Sequence, residues 1–121
     1  MKLGCLNERA VMCKGWRWLP GMLTMDGVRI YAVEGDTFDG FDDDSEYNDH
    51  PVSALEWPDF TDAATRGCLL ELVHHVWDDR TMSPSWVPSR QRWRIKYKFG
   101  QFVMADSEAE VLVRMLEARV S

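Results

Sequence analysis

Residues 92–99 read Arg-Trp-Arg-Ile-Lys-Tyr-Lys-Phe, an unbroken period of two over eight positions. Successive side chains of a strand point to opposite faces, so Trp93, Ile95, Tyr97 and Phe99 make one apolar face and Arg92, Arg94, Lys96 and Lys98 the other. A chain carrying such a segment must cover one face and leave the other to water or to an anionic partner. An antiparallel sheet packed on one side does this. Gly100-Gln101 fits a type II′ turn and predicts pairing of Phe99 with Phe102 and of Tyr97 with Met104. A second hairpin is expected over residues 21–33, where Asp26-Gly27 is a type I′ signal. Its register pairs Met25 with Val28, Thr24 with Arg29, Leu23 with Ile30 and Met22 with Tyr31, placing Leu23, Met25, Val28 and Ile30 on one face.

Three helices accompany the hairpins. Residues 7–14 predict a short one, with Asn7 as N-cap and Gly15 as a C′ residue at positive φ. A longer helix spans about 62–77, with Asp59, Thr61 and Asp62 as possible caps and Cys68, Leu69, Leu72, Val73 and Val76 as its stripe. Gly67 inside it costs about 1 kcal/mol relative to Ala, which predicts close approach of another element there. Ser107-Glu108-Ala109-Glu110 is a capping box that opens a last helix with Ala109, Leu112, Val113 and Leu116 buried and a Glu110–Arg114 pair outside. The expected class is α+β in the order α-ββ-α-ββ-α, one antiparallel sheet of about four strands on the helices. Leu23, Ile30, Leu69, Leu72, Val73, Ile95, Tyr97, Leu112 and Leu116 are its expected core. Residues 1–121 suit a single domain. An irregular acidic loop is expected at about 34–56 and a second loop at 80–91.

Charge is segregated along the chain. Residues 30–65 carry eleven carboxylates and no Lys or Arg, whereas 80–105 carry six basic residues and no acidic one, within a net charge of −6. Such fields act on partner choice and association rate. Three cysteines without CxxC spacing argue against a disulfide framework. Glu8 and Arg9 interrupt the N-terminal segment where a signal peptide needs apolar residues, and no apolar run reaches about 20 residues, so a cytoplasmic location is expected.

Catalytic signatures are missing: GxSxG, Walker, HExxH and GxGxxG patterns do not occur. Glu71 and His74 form a single E-x-x-H without the second copy that a di-iron bundle requires, and solvated helix-end histidines are the expectation. The carboxylates after Asp36 do not follow the EF-hand pattern. No enzyme activity, metal or cofactor is therefore expected. Two binding surfaces remain. One is the acidic segment, Asp36, Asp39, Asp42, Asp43, Asp44, Glu46 and Asp49. The other is the row Arg92, Arg94, Lys96 and Lys98, cations at intervals of roughly 6.5–7 Å, similar to phosphates along a nucleic-acid strand. Of six tryptophans, Trp77 and Trp93 suit the core, and one or two of Trp16, Trp18, Trp57 and Trp86 are expected at the surface.

The segments GWRWLPGM, DGVRI, PDFTDAATRGCLLELV and SEAEVLVRMLE, in this order, resemble small proteins encoded by tailed phages and prophages. The layout also looks like the alpha-beta-alpha sandwich domains of phage proteins. Ala63 stands where such helices often have Pro at their first position. The resemblance implies a phage accessory protein acting in the host cytoplasm, and it carries over no functional residue. Its expected role is non-enzymatic: binding and blocking a host protein, such as a nucleic-acid-handling defence complex of the CRISPR kind, with the acidic segment imitating phosphate charge. A sponge that sequesters a nucleotide signal through the basic strand is the alternative. A minor virion or assembly component is the third.

Overall fold

Among the described residues, six strands and three α-helices follow one another as α1 (Leu6–Val11), β1 (Arg29–Glu34), β2 (Thr37–Phe41), β3 (Glu46–Pro51), α2 (Ala63–Trp77), β4 (Ser85–Val87), β5 (Arg92–Tyr97), β6 (Gln101–Ala105) and α3 (Glu108–Arg119). A 3₁₀ turn, Val52–Ala54, follows β3. This computed structural model describes residues 5–97 and 100–119. The class is α+β and every strand pair is antiparallel, but the strands form two three-stranded sheets, β1-β2-β3 and β4-β5-β6. The expected single sheet of about four strands is thereby corrected, to α-βββ-α-βββ-α. Three strands fall where loops are expected. β2 and β3 are too acidic to look like strands, and β4 is three residues held between Pro84 and Pro88. The chain divides into two compact units, Arg17–Cys68 and the remainder, and the division falls inside α2.

In the Arg17–Cys68 unit, the arm before β1 bridges Leu23 to Arg29 rather than to Ile30. The turn therefore holds three residues instead of two. Thr24 closes it from both ends: its carbonyl accepts from Gly27 N at 3.0 Å and its hydroxyl accepts from Val28 N at 3.0 Å. Thr24 also donates to Asp26. Gly27 takes the required positive φ of 94°. A slip of one residue reverses every side chain of a strand. Met22 and Thr24 are accordingly buried and Met25 is exposed, contrary to the expected face of Leu23 and Met25. Leu23 is half-buried, while Val28 and Ile30 point inward as expected.

Asp62 is the cap of α2. Its carboxylate accepts from Thr65 N at 2.9 Å and from the Thr65 hydroxyl at 2.8 Å. It also takes a bidentate contact from Arg29 at 2.8 and 3.0 Å. Thr65, fully buried, accepts in turn from Leu23 N at 2.9 Å. One carboxylate thus fixes the helix start and the first strand together. Asp59 caps only a local turn at Thr61. Gly67 meets nothing within 4 Å of an added Cβ, so no close approach explains it.

In the other unit, Leu69, Leu72, Val73, Ile95, Ala109, Leu112, Val113 and Leu116 are buried as expected, joined by Val111 and Met115. Tyr97 is half-buried and stacks on Trp77 at 5.2 Å, whose Nε1–H donates to the Met115 carbonyl at 2.9 Å. Ser107 caps α3 through Glu110 N at 3.1 Å, and the Glu110–Arg114 pair forms at 3.0 Å. The N-terminal helix departs from expectation. Cys5, not Asn7, precedes it, and Gly15 is absent from the positive-φ residues. Gly15 serves by smallness, since a Cβ there would lie 2.6 Å from Val76 Cγ2. Arg9 and Glu117 tie α1 to α3 by two contacts of 2.8 and 2.9 Å.

Candidate functional site

The acidic segment is a β-meander, not an irregular loop. Gly35-Asp36 makes a two-residue turn between Glu34 and Thr37, and residues 42–45 make the turn between Phe41 and Glu46. The second turn is built by Asp42. Its Oδ1 accepts from Asp44 N and Ser45 N, each at 2.8 Å, and its Oδ2 accepts from the Tyr47 hydroxyl at 2.7 Å. These donors, led by Tyr47, hold the Asp42 carboxyl below the usual carboxylate range. Opposite Asp39 the third strand bulges, with Asn48 and Asp49 facing one residue. Asp39 Oδ1 accepts from Asp49 N at 2.8 Å, and Asp49 sits at φ 55°. Gly40 is required beside it, because a Cβ would lie 2.8 Å from the Arg29 carbonyl oxygen.

The pleat sorts the side chains. Phe38 lies on the inner face, where Tyr47 and His50 meet edge to face with ring centroids 5.2 Å apart. The outer face presents Tyr31 and Phe41, 45% and 48% exposed with ring centroids 6.1 Å apart. The Tyr31 hydroxyl donates to Glu46 at 3.1 Å, and that carboxylate holds the phenol above its ordinary range. The seven acidic residues thus have two roles. Asp39 and Asp42 hold the backbone, and Glu46 orients Tyr31. Asp36, Asp43, Asp44 and Asp49 are exposed and are not side-chain acceptors in any hydrogen bond among the described residues. A cleft of about 200 Å³ lined by Glu34, Thr37, Asp39 and Asp49 opens beside the bulge. It is smaller than the 300–1,000 Å³ of ordinary small-molecule sites.

The basic strand is also altered by register. β6 pairs Tyr97 with Gln101, Lys96 with Phe102 and Arg94 with Met104. The expected pairing of Tyr97 with Met104 is therefore off by an odd number of residues, which moves Phe102 and Met104 from the apolar face to the basic one. Lys96 is exposed, Arg92 and Arg94 are half-buried, and Lys98 and Phe99 lie outside the described residues. Arg92 contacts Asp106 at 3.2 Å, so the row is not a set of four equal free cations. The Arg94 guanidinium carbon stands 5.5 Å from the centroid of Phe102, which is 49% exposed.

His74 is not a solvated helix-end residue. Its Nε2 lies 2.6 Å from the Met82 carbonyl, which can only accept, so that nitrogen carries a proton; Nδ1 faces Glu71 at 3.6 Å. Glu71 also receives Arg80 at 3.2 Å. The E-x-x-H spacing thus anchors the chain after α2. Trp57 and Trp86 are the exposed tryptophans, 43% and 47%. Tyr31, Phe41 and Phe102 are surface aromatics beyond those expected: Tyr31 follows the inward Ile30, Phe41 lies in a strand where a loop is expected, and Phe102 changes face with the β6 register.

No protein-family model, curated protein or solved structure matches the chain.

Proposed function

We propose that the chain is a non-enzymatic binding protein whose acidic β-meander docks on a Lys/Arg-lined surface of a partner. The feature that carries this reading is the outer face, where an exposed aromatic pair, Tyr31 and Phe41, is flanked by carboxylates held at fixed positions by the sheet. A positioned row of carboxylates offers a cationic groove the charge it normally meets on nucleic-acid phosphates, and the aromatics supply desolvated contact area at its centre. Ordering the segment before binding lowers the entropy cost that a mobile acidic loop would incur on docking. The phage-like sequence segments favour a host nucleic-acid-handling defence complex as the partner, with inhibition as the outcome.

The test is capture of host proteins on immobilised protein, repeated with Asp36→Asn, Asp43→Asn, Asp44→Asn and Asp49→Asn combined. None of these four side chains accepts a hydrogen bond among the described residues, and Asn tolerates the positive φ at 49. Retention of a nucleic-acid-binding protein by the wild type and its loss with the variant is expected. Equal capture by both removes the acidic face from the mechanism.

A further inference from the structure

From the open face of the β4-β5-β6 sheet we infer a second binding activity: it is a platform for single-stranded nucleic acid. The inner face of this sheet is closed by the buried Ile95 and Ala105, on the side where α3 packs. The other face carries Arg92, Arg94 and Lys96 from β5, Phe102 and Met104 from β6, and Ser85 from β4 beside Arg94. Phe102 is opposite Lys96, and the Arg94 guanidinium packs over the Phe102 ring. Among the described residues neither Arg94 nor Lys96 has a carboxylate partner, and Arg94 Nε has no hydrogen-bond acceptor.

This differs from an ordinary solvated strand face in two respects. A solvated face intersperses both signs, whereas the described cations of this one, Arg92, Arg94 and Lys96, meet one carboxylate among the described residues, Asp106 against Arg92. This face also sets Phe102, exposed on the edge strand β6, directly beside Arg94 and Lys96. Unneutralised cations around an exposed aromatic ring match a chain that alternates phosphates with π-faces. The ring stacks a base, Lys96 meets the adjacent phosphate, and Arg94 extends the ring's stacking surface with its own plane. A duplex keeps its bases stacked on one another, so the expected ligand is single-stranded. This activity is independent of the acidic meander, which belongs to the other unit.

A fluorescein-labelled oligothymidylate of about 12 nucleotides, a length within the reach of small single-strand binders, is titrated with the full chain and followed by anisotropy. Saturable binding that weakens as salt rises is expected. Phe102→Ala should weaken it about 5–100-fold, as loss of one stacking partner does. Phe102→Tyr should restore it. Lys96→Ala should reduce the slope of log affinity against log salt by about 0.7, one phosphate contact on a single strand. Both side chains are exposed, so unchanged thermal melts should accompany these effects. Absence of binding at about 50 mM salt, binding that Phe102→Ala leaves unchanged, or equal preference for a duplex of the same length overturns the inference.

Discussion

Asp62 concentrates more structural duty than any other side chain described. It caps α2, grips Arg29 and aligns Thr65, whose hydroxyl holds the backbone at Leu23. The Arg29 guanidinium, followed by the Thr65 hydrogen bonds, holds its carboxyl well below the ordinary value of 3.8. A folded-state value below the unfolded one means that the stabilisation is fully present above about pH 4 and is lost as pH falls through the range beneath it. Glu117, held down mainly by Arg9, acts in the same direction. The stability of the wild type, read from urea midpoints, should therefore drop below about pH 4, and Asp62→Asn should flatten that dependence. At neutral pH Asp62→Ala should cost about 2–3 kcal/mol, through loss of the cap and of the partner of Arg29. Gly67→Ala should act oppositely. An added Cβ meets nothing and the helix gains propensity, so about 0.5–1 kcal/mol of stabilisation is expected. Leu72→Ala, at a site 1% exposed, should cost about 2–5 kcal/mol by leaving a cavity.

Among the elements, helices α2 and α3 were legible because each carries its own punctuation: Asp62 or Ser107 at the start and an apolar stripe behind it. The strands were legible as strands where apolar and polar residues alternate, as in β5. Their registers were not, because register is decided by what the turn residues bond to. Thr24 uses its own hydroxyl to lengthen the first turn, and Tyr97 pairs with Gln101 rather than with Met104. Both slips are odd, so both exchange faces. The acidic strands β2 and β3 were illegible for another reason. Their stabilisation comes from side-chain acceptors, Asp42 for the turn and Asp39 for the bulge, which in sequence look like any other carboxylates. A separation of roles follows. Asp42→Ala should lower the melting temperature by releasing the 42–45 turn, whereas Asp43→Ala and Asp44→Ala should leave the melt within error. Circular dichroism of the three single variants checks this.

For the whole molecule, the sequence places eleven carboxylates in residues 30–65 and six cations in 80–105. The structure puts the carboxylates from Glu34 to Asp49 on the β1-β2-β3 meander and Arg92, Arg94 and Lys96 on β5 of the other sheet. No helix among the described residues is long and apolar enough to cross a membrane, and no group of three His, Cys, Asp or Glu among them is arranged to hold a metal ion. Exposed charges are screened beyond about 8–10 Å at physiological ionic strength, so an acidic docking face should act chiefly on the rate of encounter. The most direct measurement is stopped-flow association of the captured host partner with wild type and with the combined Asp36→Asn, Asp43→Asn, Asp44→Asn, Asp49→Asn variant across a salt series. The wild-type rate constant should fall steeply as salt rises, and the variant should be slower at low salt and nearly insensitive to it. Equal rates and equal salt dependence for the two proteins would contradict docking through the acidic meander.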